Sequence, residues 1–370
     1  MNFDFSDEQR ELQRSARGVL EKECTTAKVR RVLEGDDGFD REIWSTIAEM
    51  GFCGAAIPEE FGGLGLGYLE LCVIAEELGR ALAPVPFDST VCLFAELLKL
   101  AGSDAQKALY LPRVAEGKLI GTLAQAETRG AAAGARAAVS GGKLSGTKCP
   151  VMDGGSADIA IVVAFEEQDA APTLFLVDLS SEGVERTAVE TLDPSRKHAL
   201  LRFGGAPAER LGARGEAVDI LGHVYDRAAV LVAFQQVGGA ERALELARDY
   251  ALQRVAFGRP IGSFQAIKHM LADMFVSLTI ARANTYYAAW ALQSDSAELP
   301  AAAAAARVSA TTAFQHCSTN NIQVHGGIGF TWEFDSHLFY RRSNLLALSL
   351  GSQSQWEAKL VDRMRTRKAV

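Results

Sequence analysis

Arg254-Val255-Ala256-Phe257-Gly258-Arg259-Pro260-Ile261-Gly262-Ser263-Phe264-Gln265 separates two long stretches of helical periodicity. Before it, Val237 to Gln253 places apolar residues at helical spacing. After it, the spacing resumes from Ala266 to Met274. Gly258, Pro260 and Gly262 are breakers that end one helix and start the next. Arg254 and Arg259 flank the turn, with Phe257 between them. An arginine fork beside a helix start suits a phosphate or pyrophosphate. The same residues also suit an ordinary helix–helix loop with solvated arginines.

Outward from this stretch, the chain reads in three parts. The segment 1–117 is helical or connects helices. Ser6 caps a helix over Gln9–Cys24, Asp40–Trp44 opens a second that ends near Gly51, and Tyr68–Leu82 is a third. Val91–Leu100 and Ala105–Leu111 follow, the last stopped or kinked at Pro112. The segment 118–213 is rich in Gly, Ala, Thr and Val and carries short apolar runs at 158–164, 173–177 and 199–203. Gly141-Gly142 reads there as a hairpin turn. The segment 214–370 is helical again, with stretches at 217–253, 264–292, 300–320, 335–348 and 353–366. The expected fold class is mainly α with a β insert.

Composition narrows the function. With 370 residues, 48% hydrophobic and 23% charged, the chain can bury a large core. A net charge of −8 disfavours nucleic acid as a partner. The acidic N-terminus lacks the regions of a signal peptide, and no apolar run reaches the roughly 18 residues of a membrane span. Cys24, Cys53, Cys72, Cys92, Cys149 and Cys317 are scattered without Cys-x-x-Cys spacing. The expectation is a cytoplasmic protein with reduced thiols and no metal site.

A second glycine-rich stretch is Gln323-Val324-His325-Gly326-Gly327-Ile328-Gly329-Phe330-Thr331-Trp332-Glu333. Paired glycines let a backbone approach a ligand, and Gln323 can address an adenine edge or ribose. A helix C-cap with a tight turn explains the spacing as well. His325 beside the glycines reads as structural rather than as an acid or base. The loop at 56–67 is a poor dinucleotide fingerprint, because Tyr68 stands where its last glycine should be. No Walker loop, nucleophile elbow or H-E-x-x-H is present.

Three motifs together resemble the acyl-CoA dehydrogenase family: Ile57-Pro58-Glu59-Glu60-Phe61-Gly62-Gly63, the Arg254–Gln265 stretch, and Gln323–Glu333. The resemblance covers the full length. It implies a helical N-terminal domain, a middle β-barrel or sandwich domain and a C-terminal four-helix bundle. It also implies FAD as cofactor and α,β-desaturation of an acyl-CoA thioester, with a carboxylate base and hydride transfer to the flavin. By the same resemblance Arg254, Phe257, Gln265, Gln323, Gly326 and Gly327 contact the FAD of a neighbouring subunit.

The departures from that pattern are as informative. The two positions at which family members carry the base read Leu350 and Ala228 here, and neither side chain can abstract a proton. Asp226 and Glu333 are the weak substitutes within reach in sequence. The flavin-facing loop of the β part reads Gln125-Ala126-Glu127-Thr128-Arg129-Gly130-Ala131-Ala132, and a Trp-x-Thr segment reads Pro150-Val151-Met152. Groups serving this subunit's own flavin are eroded, and groups reaching the neighbour are kept. The expectation is one subunit of a homo- or hetero-oligomer, a dimer of dimers, paired with a second acyl-CoA dehydrogenase-like chain, as in relatives acting on steroid-side-chain acyl-CoAs. A self-sufficient enzyme with a displaced base, and a non-catalytic acyl-CoA- or flavin-binding scaffold, are the alternatives.

Overall fold

The computed structural model describes residues 5–127, 136–166 and 171–368. The chain begins with α1 (Asp7–Glu23), α2 (Thr26–Glu34), α3 (Arg41–Glu49) and α4 (Tyr68–Arg80). A π-helical stretch, Asp88–Ala95, runs into α5 (Glu96–Ala101), and α6 (Asp104–Ala115) follows. Eight strands come next: β1 (Gly121–Ala124), β2 (Ala138–Ser140), β3 (Lys143–Met152), β4 (Ile159–Glu166), β5 (Thr173–Asp178), β6 (Val184–Val189), β7 (His198–Pro207) and β8 (Glu209–Leu211). The long α7 (Ala217–Gln253), the hairpin β9 (Val255–Ala256) and β10 (Arg259–Pro260), α8 (Gln265–Gln293), α9 (Leu299–His325), α10 (Ser336–Leu348) and α11 (Gln353–Lys368) complete it. The fold is therefore mainly helical with a β section in the middle, as the sequence pattern implies.

Two compact units organise these elements. The first comprises Met1–Val29, Tyr68–Ala83 and Ala229–Val370. Ser6 and Gln9 cap α1 reciprocally, which fixes its start. In the bundle α8 and α9 pack along their lengths, and α10 and α11 lie on α9. The buried alanines of α9, from Ala302 to Ala313, keep these approaches short. Where α4 meets α7, backbone touches backbone. A Cβ on Gly79 would lie 2.1 Å from the Gln235 carbonyl oxygen, and one on Gly238 would lie 2.0 Å from that of Glu76.

A charge network ties the same helices. Arg17 pairs with Glu77 at 2.7 Å, Arg80 with Glu245 at 2.5 Å, and Arg282 bridges Glu76 at 3.2 Å and Glu241 at 2.9 Å. Burial holds the Glu76 carboxyl at about 7; Arg282 pulls it down, while Glu241 and Glu77 push it up. Because the folded value lies above the ordinary 4.5, the stability linked to this group is complete below pH 4.5 and is lost as pH rises through 7. Denaturant titrations between pH 5 and 8 should show a loss on the order of 3 kcal/mol that Glu76→Gln abolishes. A wild-type pH slope that survives in the variant would assign the effect elsewhere.

The second unit comprises Arg30–Gly67 and Pro84–Ala228. Its mixed sheet runs β6-β7-β3-β2-β4-β5-β8, with β1 added parallel to β4. β4 is buried from Ile159 to Ala164, which explains its continuous apolar run. Gly141 and Gly142 form the two-residue turn of the β2–β3 hairpin, with Ser140 opposite Lys143. Arg196 is buried and held by Asp88 at 2.9 Å and Asp153 at 3.2 Å. Cys53, Cys72 and Cys92 are buried thiols.

One local expectation is corrected, and two elements escape the sequence pattern. The helix after Ala105 does not stop at Pro112 but continues to Ala115, with the Pro112 carbonyl accepting from the Glu116 amide at 3.0 Å. The sequence pattern does not announce α2, although Val29, Val32 and Leu33 lie on one buried face of it; the segment is short and interrupted by charged residues. β6 also escapes that pattern, because as an outer strand it is largely exposed and lacks apolar alternation.

Candidate functional site

The Arg254–Gln265 stretch is a tight hairpin between α7 and α8. The Arg254 amide continues the helix to the Tyr250 carbonyl at 2.8 Å, and the Ile261 amide returns to the Arg254 carbonyl at 2.8 Å. Arg259 pairs with Ala256 across β9 and β10, leaving Phe257 and Gly258 at the tip. Both tip residues are left-handed, with φ of 53° and 78°. For Phe257 that backbone costs roughly 1–2 kcal/mol. Its ring is 96% exposed, with Phe264 edge-on at 6.3 Å. Strain at a fully exposed aromatic marks a surface made for something other than folding.

α9 ends at His325, and Gly326 turns the chain at φ 65° into a short helical turn, Gly326–Phe330. The two motifs meet there. Tyr250, Arg254, Ile261, Val324, His325, Gly327 and Ile328 line one cleft of about 310 Å³. His325 is buried and stacks on Tyr250 at 4.2 Å. Its Nδ1 donates to the Asn321 carbonyl at 2.8 Å. Burial lowers its pKa, although that hydrogen bond opposes the shift. It is a wall of the cleft and not an exposed acid. Arg254 is exposed and has no carboxylate partner among the described residues. Gln323 and Gln265 are exposed at the end of α9 and the start of α8.

Added Cβ atoms on Gly326 and Gly327 would meet nothing within 4 Å, so the backbone faces open space. An unpaired cation, glycine backbone open to close approach and an aromatic-lined cleft fit the pyrophosphate and adenosine half of FAD. Phe257 lies outside the lining of the cleft, on the hairpin tip.

The two positions at which the family resemblance places the base have distinct settings. Leu350 is half-buried and left-handed, with φ 60°. Its turn is braced from within the first unit. Trp356 Nε1 donates to the Leu350 carbonyl at 3.1 Å. The buried Arg307 donates to the carbonyls of Leu346 and of Ser349, the latter at 2.8 Å, and to Gln236 Oε1 at 2.6 Å. Glu333, in the same unit, is exposed. In the second unit Ala228 is fully buried and Asp226 is buried.

The loops that would face a flavin in the second unit are closed on themselves. Lys148, 2% exposed, donates to Glu127 at 2.7 Å and to the Gln125 carbonyl at 3.1 Å. The Tyr225 hydroxyl donates to Gln125 Oε1. Met152 has its sulfur 3.5 Å from Arg196 Nη2 and its carbonyl bonded by Thr122 at 2.6 Å. Pro150 is exposed. Among the described residues of these two segments, Gln125–Glu127 and Pro150–Met152, no side chain is a hydroxyl or an indole. Thr128 to Ala132 of that loop lie outside the described residues.

Sequence reasoning missed Tyr250, Ile261 and Arg307. Tyr250 stands four residues before Arg254, one helical turn away, which was the available signal. Nothing in the local sequence singled out Arg307 inside an alanine-rich helix.

Among the described residues no helix is long and apolar enough to cross a membrane. Family models match two parts of the chain: "Acyl-CoA dehydrogenase, N-terminal domain" over residues 6–118 and "Acyl-CoA dehydrogenase, C-terminal domain" over residues 221–357. The chain is 34% identical over 339 residues to acyl-CoA dehydrogenase IpdE2 of Mycobacterium tuberculosis, covering 91% of each. Its fold matches the ChsE4-ChsE5 complex from Mycobacterium tuberculosis with a TM-score of 0.90 and 28% identity, covering 99% of each chain. It matches a variant of the steroid ACAD Tcur3481-Tcur3483 with a TM-score of 0.87 and 31% identity, over 98% of this chain and 99% of that one.

Proposed function

The chain belongs to the acyl-CoA dehydrogenase family, FAD-dependent oxidoreductases acting on CH–CH groups, and from that premise we propose that it is the subunit that lends an FAD-binding surface to a partner and leaves the proton abstraction to it. One asymmetry carries this reading. The outward-facing cleft is lined by Arg254 and Gly327, with Gln323 and Gly326 exposed beside its lining residues in sequence, while both base positions hold the hydrocarbon side chains of Leu350 and Ala228.

FAD, when bound, supplies the hydride acceptor for the desaturation. In this chain Arg254 would neutralise the pyrophosphate, as an exposed cation with no competing carboxylate can. Gln323 would address the adenosine through its amide, and Gly326 and Gly327 would let backbone amides approach. Phe257 and Gln265 would contact the same cofactor from the hairpin side. Leu350 and Ala228 hold no proton and move none. They can only shape an apolar wall and exclude water. The α-proton then needs a carboxylate from a second acyl-CoA dehydrogenase-like chain, in a dimer of dimers. The ChsE4-ChsE5 complex and Tcur3481-Tcur3483, the latter a steroid ACAD, support a two-chain assembly and a bulky acyl-CoA substrate. We retain the division 1–117, 118–213 and 214–370 as the domain organisation, and the cytoplasm as the compartment that suits six free thiols.

The test compares the lone chain with the chain co-expressed with a family member that keeps the glutamate. The lone chain should carry little FAD and show no acyl-CoA oxidation, and the pair should do both. Arg254→Ala should weaken flavin retention by the pair about tenfold, the worth of a charge-assisted hydrogen bond. Stoichiometric FAD with robust turnover by the lone chain would overturn the reading in favour of a self-sufficient enzyme. Ligand binding without flavin reduction in every pairing would favour a scaffold.

A further inference from the structure

His325 brings one unused nitrogen to the cleft that it lines with Tyr250 and Arg254. Its Nδ1 lies 2.8 Å from the Asn321 carbonyl, one helical turn back along α9. A carbonyl oxygen only accepts, so Nδ1 carries the proton. In the neutral ring Nε2 is then a bare acceptor. Nε2 has no hydrogen-bond partner among the described residues and is not sealed from solvent. The ring is held in place, with Tyr250 stacked on it at 4.2 Å and Phe334 tilted against it at 4.7 Å.

No charge nearby decides the protonation of this ring. Around the cleft stand Tyr250 and Arg254 from the end of α7, Ile261 from the hairpin, and Gly327 and Ile328 from the glycine turn. Glu333 and Asp335 flank Phe334 in sequence, and neither shifts the imidazole. Burial pushes its pKa below 6.5 against the pull of the Asn321 carbonyl, so the ring is neutral at pH 7.

That constrains what a ligand can place against Nε2. A phosphate oxygen is an acceptor, and two acceptors repel. A hydroxyl or an amine N–H completes the nitrogen. In the adenosine half of FAD those donors are the ribose hydroxyls and the adenine amine. Arg254 has the opposite chemistry, since a guanidinium only donates. The cleft therefore has a direction: a donor for the pyrophosphate at Arg254 and an acceptor for the nucleoside at His325.

Taking the cleft as the FAD-binding surface, on which this step rests, we propose that His325 Nε2 accepts a hydrogen bond from the adenosine of the cofactor and makes flavin retention depend on pH. Protonation turns the acceptor into a donor and removes the bond. Because the folded pKa lies below 6.5, retention is full above that pH and is lost as pH falls through the folded value.

The test titrates FAD into the flavin-stripped, co-expressed pair. At neutral pH His325→Phe, which keeps a stacked ring without nitrogens, should bind FAD roughly fivefold more weakly, the worth of one neutral hydrogen bond. The wild-type dissociation constant should rise by about tenfold per unit once pH drops below the imidazole's own value, and that of the variant should stay level. Competition identifies the donor. Inosine diphosphate lacks the adenine amine of ADP, and 2′,3′-dideoxy-ADP lacks its ribose hydroxyls. One of them should displace FAD roughly fivefold less well than ADP does, and His325→Phe should erase that difference. Should His325→Phe lose its helical circular dichroism, His325→Asn takes its place, because it keeps a donor near Nδ1 and has no atom at Nε2. Analogues equal to ADP in the wild type, a difference that survives in the variant, or parallel pH profiles would each overturn the proposal. Arg254→Ala in the same titration separates the two failures. Weakened FAD binding there with any of those outcomes leaves the cleft as the flavin surface and removes only the role of His325. Unchanged binding there removes the cleft and the proposal together.

Discussion

Removing the base carboxylate from the partner chain is expected to lower turnover of the assembled enzyme by roughly 10²–10⁴-fold, whereas Asp226→Asn and Glu333→Gln in this chain leave it within about twofold. The argument is one of chemistry and setting. A general base must reach the proton it takes and must be poised against its surroundings. Glu333 is exposed to water, which is the opposite of the apolar slot that adjusts a catalytic carboxylate. Asp226 is buried and already engaged with its own surroundings. It also sits two residues from Ala228, on a different face of α7. Steady-state rates with excess acyl-CoA and an artificial electron acceptor make the comparison. Flavin bleaching in the absence of acceptor separates proton abstraction from later steps. A hundredfold loss in either variant of this chain would move the base back into it.

The other large effect is on folding. Gly238→Ala should cost at least about 3 kcal/mol and lower the melting temperature by roughly 10 °C, with poor soluble yield. The added Cβ would sit 2.0 Å from the Glu76 carbonyl oxygen, and that atom is helix backbone that cannot rotate away. α4 and α7 would have to separate. Any such movement also disturbs Arg80 with Glu241 and Glu245, and Arg282 with Glu76. Gly79→Ala should behave alike, because its Cβ would press on the Gln235 carbonyl oxygen at 2.1 Å. Gly222→Ala, on the same α7 but with nothing within 4 Å, is the control. It should be neutral or stabilising by about 0.5–1 kcal/mol, the usual gain from replacing a helical glycine. Equal melting temperatures for Gly238→Ala and Gly222→Ala would refute the close-contact account.

Much of the architecture was legible because it rests on periodicity. The long helices around Arg254–Gln265, the Gly141-Gly142 hairpin and the continuous apolar run of β4 each have a local signature. β6 did not, since as an outer strand it is largely exposed, and α2 escaped because its buried face is only Val29, Val32 and Leu33 within a short charged segment. Pro112 misled because helix breaking is a tendency that packing overrides near a helix end. The candidate site was legible as two separate motifs. That Arg254 and His325 share one cleft is a property of the bundle, set by contacts between residues far apart in the chain, and no spacing rule encodes it. The contact between Gly79 and Gly238 was silent for the same reason. Leu350 and Ala228 were readable only against the family pattern, because a leucine in a turn and an alanine in an apolar helix announce nothing by themselves.

The turn at Leu350 bears on how such a division of labour could be reversed. A leucine in left-handed backbone is costly, yet Arg307 and Trp356 still clasp the carbonyls on both sides of it. On the proposed division of labour, the bracket is kept at a position where this chain carries no carboxylate. Transplanting a carboxylate into this chain would then be a matter of one side chain on a mount already built.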